Sequence, residues 1–141
     1  MSLFFREADI PCSVEEKRSV KNWVKSVAKH HGATLGEICV VSCSDKYLLG
    51  VNIEHLDHDY FTDIITFDYS SDEGVSGDLL ISFDRVRENA ETEGVGFQEE
   101  LRRVIIHGVL HLVGFKDKTD SEAQEMRAQE NKALEMFHVE Q

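Results

Sequence analysis

Very little in this 141-residue chain breaks it into parts. Proline occurs once, at Pro11, and no Pro/Gly/Ser linker, internal repeat or low-complexity tract interrupts the sequence. That points to one domain over residues 1–141, long enough to bury a core without staples. Cysteine is scarce and odd in number: Cys12, Cys39 and Cys43 include no C-x-x-C pair. A disulfide framework is therefore not expected, and a reducing cytosol fits. Cys39 and Cys43 lie in an apolar run and read as small core residues. Long apolar runs are missing too. The opening MSLFFREADI has only Leu-Phe-Phe before charges begin, too short for the core of a signal peptide. No segment approaches the roughly 20 apolar residues of a membrane span. The expectation is a soluble, cytoplasmic protein without a membrane partner.

Positive charge is short as well. Fifteen Lys/Arg against 27 Asp/Glu leave a net charge of −12. Residues 1–50 carry seven Lys/Arg against six Asp/Glu, a net of +1, so residues 51–141 carry −13. This balance opposes nonspecific binding to polyanions, because phosphate neutralisation supplies most of that affinity. No DNA partner is expected, and any role on nucleic acid has to use a local basic surface. The densest such set is Lys17, Lys21, Lys25 and Lys29, at four-residue spacing. A solvated face of an amphipathic helix is the plain reading, and an RNA-facing stripe the functional one.

What the chain does have is clear patterning. LFFRE reads as a strand, and Ser13 as the cap of a helix to about His31 with Val20, Val24, Val27 and Ala28 on one face. GEICVVSC is a second strand, followed by a short helix through KYLLGVNIEHL capped by Ser44 or Asp45. DIITFDY and GDLLIS flank the turn SSDEGVS, so residues 64–82 form a hairpin. Asp84 to Glu93 is helical and ends at Gly94. FQEELRRVIIHGVLHLVG is a mostly buried helix that stops at Gly114, and Thr119 with Glu122 forms a capping box opening a last helix to about Met136. Four strands and about five helices in this order indicate an α+β or mixed α/β domain.

The chemistry concentrates in HGVLHLVGFKD, His107 to Asp117. Histidines four apart share one helix face, and a glycine lets the chain leave the helix axis and fold back, which brings Asp117 within reach of the same point. Two imidazoles and a carboxylate suit one Zn²⁺ per chain, or another divalent transition metal, with a fourth position open for water. Two polar rings within a run of Val, Ile and Leu would be costly to bury unpaired, so a shared metal outweighs separate packing roles. Asp120 is the rival to Asp117 as third ligand. The spacing H-x-x-x-H-x-x-G-x-x-D is that of the extended zinc-peptidase motif. Gly108, however, replaces the glutamate that serves as general base in those enzymes, which disfavours peptide hydrolysis and is expected to leave room for a bulky substrate.

The stretch resembles the H-G-x-L-H-L-x-G-[YF]-D-H signature of the YbeY family, bacterial endoribonucleases of ribosomal RNA maturation. Two further blocks carry the likeness: Asn52, Thr62, Asp63 and Phe67 in NIEHLDHDYFTDIITF, and Gly77 and Asp78 in GDLLIS. Departures accompany it. Asp117 stands where the family has a third histidine, Leu56 where it has an arginine, and Phe61 where it has a proline.

The resemblance implies a small α+β fold, with a four-stranded mixed sheet and the metal held by His107, His111 and Asp117 at the end of the central buried helix. It implies a single-strand-specific metallo-endoribonuclease acting in 3′-end maturation of small-subunit (16S) rRNA and in ribosome quality control. Partners would be single-stranded rRNA and the ribosome or small subunit with its assembly factors. The general base is not identified; Asp63 and Asp78 are candidates because they fall in matched blocks. His55 and His58 are the candidate histidines to replace the lost cation. A metallopeptidase-like hydrolase and an assembly factor with a structural metal are the alternatives.

Overall fold

Val20, Val24, Val27 and Ala28 recur at helical spacing, and with Trp23 they bury one side of α1, Lys17–His30. The structure, a computed structural model, describes residues 2–137. The chain begins with β1 (Ser2–Glu7), and after α1 follow β2 (Leu35–Cys43) and α2 (Asp45–Leu56). The hairpin is β3 (Ile64–Asp68) and β4 (Val75–Ser82), and three helices complete the order: α3 (Phe83–Glu93), α4 (Phe97–Val113) and α5 (Asp120–Glu135). This is the expected α+β domain, with the strands in the order β1-β2-β4-β3. β1 and β4 flank β2 in parallel, and β3 pairs antiparallel with β4, which makes the sheet mixed and leaves β3 on an edge.

One expected cap is absent. Ser13 does not open α1; Glu16, in a left-handed conformation, precedes it without a side-chain cap. Residues 13–15 are instead tied to the start of α4: Gln98 Nε2 donates to the Ser13 carbonyl at 2.8 Å, and the Glu15 N–H donates to Gln98 Oε1 at 3.0 Å. Tertiary hydrogen bonds have replaced the local one. Elsewhere local chemistry holds. Ser44, not Asp45, caps α2 by accepting from the Tyr47 N–H, and Thr119 and Glu122 make the reciprocal capping box of α5.

The sheet has a thick side and a thin side. Leu3, Ile38, Val40, Leu79 and Ile81 join α1, α3 and α4 in the main core. Among the described residues, the hydrophobic cluster of the opposite side buries Cys43, Leu48 and Ile65, with Val41, Val51, Phe67 and Leu80 partly covered around them. On the thick side α4 lies close against the sheet. A Cβ on Gly108 would stand 2.8 Å from Ile64 Cδ1 and 2.8 Å from Leu79 Cδ2. The missing side chain therefore serves helix–sheet packing. It does not open space for a substrate, contrary to the expectation from sequence, because Ile64 and Leu79 fill that space.

Candidate metal centre

Helix α4 carries His107 and His111 one turn apart in its last turns, and ends because Gly114 takes a φ of 123°, open to glycine. The Gly114 N–H reaches the carbonyls of Leu110 and His111, and the Phe115 N–H returns to Leu110. The chain thereby reverses and brings Asp117 back over the histidines just before the Thr119 cap. His107 Nε2 lies 3.1 Å from His111 Nε2 and 3.2 Å from Asp117 Oδ2, and His111 Nε2 lies 3.4 Å from the same oxygen. Four donors held tetrahedrally at zinc bond lengths stand roughly 3.3 Å apart, so the three atoms already match three corners. Among the described residues these three form the group suited to a metal ion, and Asp120 is not part of it.

Glu130 of α5 was not singled out from the sequence. It is 4% exposed, and its Oε2 lies 2.6 Å from His107 Nδ1 while its Oε1 accepts from Arg103 Nη1 at 3.1 Å. Burial would push this carboxyl up, but the hydrogen bonds and charges of His107 and Arg103 hold it below its usual range, hence ionised. An ionised carboxylate only accepts, so Nδ1 of His107 carries a proton, and in the neutral ring Nε2 is the nitrogen left with a lone pair on the side of His111 and Asp117. That is the tautomer a metal ligand needs. Burial alone would lower the His107 pKa; the Glu130 bond and the charges of Glu130, Asp117 and Asp63 raise it above the ordinary imidazole value. A sequence signal for Glu130 existed: it sits at i+4 from Met126 and i−3 from Ala133, on the buried stripe of α5.

Two cavities meet at this group. A groove of about 590 Å³ runs along the β3 edge, lined among others by Leu56, His58, Tyr60, Asp63, His107 and Asp117. A smaller cavity of about 360 Å³ lies behind, between α4 and α5, and shares Asp63, His107 and Asp117. Asp63 thus borders both. Burial raises its pKa, with His107 the first influence opposing that rise. Asp78, paired with it in the sequence reading, lies on the thin side of the sheet in a different cavity with Arg6, Glu37 and Tyr69. The structure separates the two candidates.

Of the two loop histidines, His58 reaches the groove, whereas His55 sets its ring edge-on to Phe67 at 6.5 Å and lines another cavity. The lysine stripe does not line the groove. Lys17 and Lys21 sit over the Phe5 ring at 5.9 and 5.8 Å, consistent with the plain reading of that helix face.

The family model for Endoribonuclease YbeY matches residues 5–138. The chain is 47% identical over 133 residues to an Endoribonuclease YbeY of Flavobacterium psychrophilum, covering 94% of this chain and 95% of the relative. It is 52% identical over 121 residues to that of Bacteroides thetaiotaomicron, covering 86% and 88%. Among solved structures it resembles the solution structure of TM1509 from Thermotoga maritima, with a TM-score of 0.69 and 25% identity over 95% of this chain and 88% of the other.

Proposed function

The chain belongs to the Endoribonuclease YbeY family, and from that premise we propose that residues 1–141 form one metal-dependent hydrolase domain that cleaves single-stranded RNA. The observation that carries this is the convergence of His107, His111 and Asp117 on the floor of an open groove. Structural zinc sites close on four protein ligands, whereas three donors facing a groove suit catalysis. A bound Zn²⁺, or another divalent transition metal, supplies Lewis acidity toward a phosphoryl oxygen and lowers the pKa of water.

The protein's own part is positional. Glu130 fixes the tautomer of His107, and Arg103 holds Glu130 in place. Asp63, at the junction of the two cavities, is the carboxylate placed to accept the proton of the attacking water. Phosphodiester hydrolysis then needs no glutamate at position 108, where the side chain would have to enter the packing of Ile64 and Leu79. The same packing argues against the peptidase alternative.

In the cell we place the activity in the cytoplasm, on the 3′ end of 16S rRNA and in ribosome quality control, with the small subunit and its assembly factors as partners. Family membership and the resemblance of the three motif blocks support this. The test uses metal-replete protein with single-stranded RNA, duplex RNA and casein, and the His111→Ala protein as control. Cleavage of single-stranded RNA alone, lost together with the metal in the variant, is the expected result. Full metal content in both His107→Ala and His111→Ala would overturn the site, and intact RNA with hydrolysed casein would overturn the activity. On precursor rRNA, product ends away from the 16S 3′ terminus would overturn the cellular role.

A further inference from the structure

The groove beside the metal group lacks the usual means of holding RNA. Among the described residues that line it there is no Lys or Arg, while Asp63, Asp68 and Asp117 are present. Contacts to phosphate then fall to a bound metal and to neutral donors such as Thr62 and Thr66, and further affinity has to come from uncharged parts of the substrate. An exposed aromatic system stands in that groove. His58 and Tyr60 stack with ring centres 5.1 Å apart and planes 20° from parallel, and the Tyr60 hydroxyl lies 2.9 Å from His58 Nδ1. Tyr60 remains 55% exposed although His58 covers one side of it.

The loop that presents this pair is held from beneath. Asn52, 1% exposed, donates from Nδ2 to the Tyr60 carbonyl at 2.9 Å, and its own carbonyl accepts from the His58 N–H at 3.0 Å. Both anchors use the backbone of the loop, so the Tyr60 ring is not needed to keep the loop in place. The adjacent Phe61 is engaged differently, under the Arg85 guanidinium at 5.4 Å. An exposed, hydrogen-bonded ring pair on an anchored loop, at the wall of a groove without Lys or Arg, has the properties of a stacking surface for a nucleobase.

We propose that the Tyr60–His58 pair is a base-stacking platform that receives one unpaired nucleobase of the RNA substrate beside the scissile phosphate. This rests on the endoribonuclease reading above and adds the way in which the substrate is gripped. A base inside a duplex presents only its edges, so a platform of this kind also selects for single strands. Because the contact is with a π-face, it tolerates any base and is insensitive to salt.

The experiment measures steady-state cleavage of a short labelled single-stranded RNA by the metal-loaded full chain over a salt series. The same oligomer is also used with an abasic site moved along it. Tyr60→Ala should lower kcat/KM on the order of tenfold, mainly through KM, and Tyr60→Phe should stay within about twofold. Metal content and Tm should be unchanged, and the slope of log(kcat/KM) against log salt should match that of the original protein. One abasic position should cost the original protein about as much as Tyr60→Ala does, and cost Tyr60→Ala nothing further. Normal cleavage by Tyr60→Ala, or additive losses at every abasic position, would overturn the platform while leaving the endoribonuclease reading intact. Failure of the original protein to cleave any single-stranded RNA would overturn both.

Discussion

The two sides of the sheet differ in what they bury and in what they can do. The thick side packs Leu79 and Ile81 under α4, and that packing sets the height at which His107 and His111 reach the β3 edge. The thin side has one short helix, α2, whose Leu48 packs over Cys43 and Ile65, and beyond it an open polar surface with Asp78, Arg6 and Glu37. Strand residues alternate between the sides, so neighbours in sequence such as Leu79 and Leu80 belong to different environments. A functional group at a sheet edge needs the rigid side behind it. Matched substitutions on the two sides test that relation.

The largest difference is expected between two aspartates. Asp63→Asn should lower single-stranded RNA cleavage by about a hundredfold or more, the range for loss of a proton-accepting group, with metal content retained. Asp78→Asn, on the thin side, should leave turnover within about twofold. Equal losses in both would mean that the effect travels through the sheet, and Asp63 would lose its assigned role.

Next come the adjacent leucines of β4. Leu79→Ala should destabilise the fold by about 2–5 kcal/mol, as fully buried leucines do when truncated. Leu80→Ala, only partly covered by the small cluster, should cost about 1 kcal/mol. Denaturant midpoints of the two variants with unchanged slopes would establish the ranking, and its reversal would refute the division into a thick and a thin side.

The link between packing and the site can be loosened by one atom pair. Glu130→Gln should weaken metal binding roughly 10–100-fold by removing the charged partner of His107 Nδ1. Glu125→Gln, an exposed position on the same helix, serves as control and should have no effect on metal titrations. The smallest change is expected at Gly108. Alanine there should cost about 1 kcal/mol, because the strain of crowding two methyl groups is offset in part by better helix propensity. Ile64→Val in the same chain should recover some of that loss, since it removes the Ile64 Cδ1 methyl, one of the two that a Cβ at position 108 would approach within 2.8 Å.

Much of the fold was legible because its signals are local. The period of Val20, Val24 and Val27, the Thr119–Glu122 box, the glycine after α4 and the 64–82 hairpin all depend on near neighbours in the chain. Ser13 misled for the opposite reason: its surroundings are set by Gln98, far away in sequence. The candidate metal group was legible because helix spacing and one reversal at Gly114 connect all three side chains within eleven positions. Glu130 and Tyr60 were not, since each gains its meaning from what it packs against. The register of Glu130 with Met126 and Ala133 was visible, yet only the contact between α5 and α4 shows that the buried face meets His107.

By itself the sequence determined most of the helices and strands, the candidate metal trio and the family, because these follow from spacing along one chain and from motifs that short range suffices to write. Tertiary structure alone decided which aspartate stands at the site, what Gly108 is for, and that His58 and Tyr60 line the groove beside that site. These depend on which side of a strand faces which helix. That choice is made by burial over the whole sheet, and no local stretch of sequence contains it.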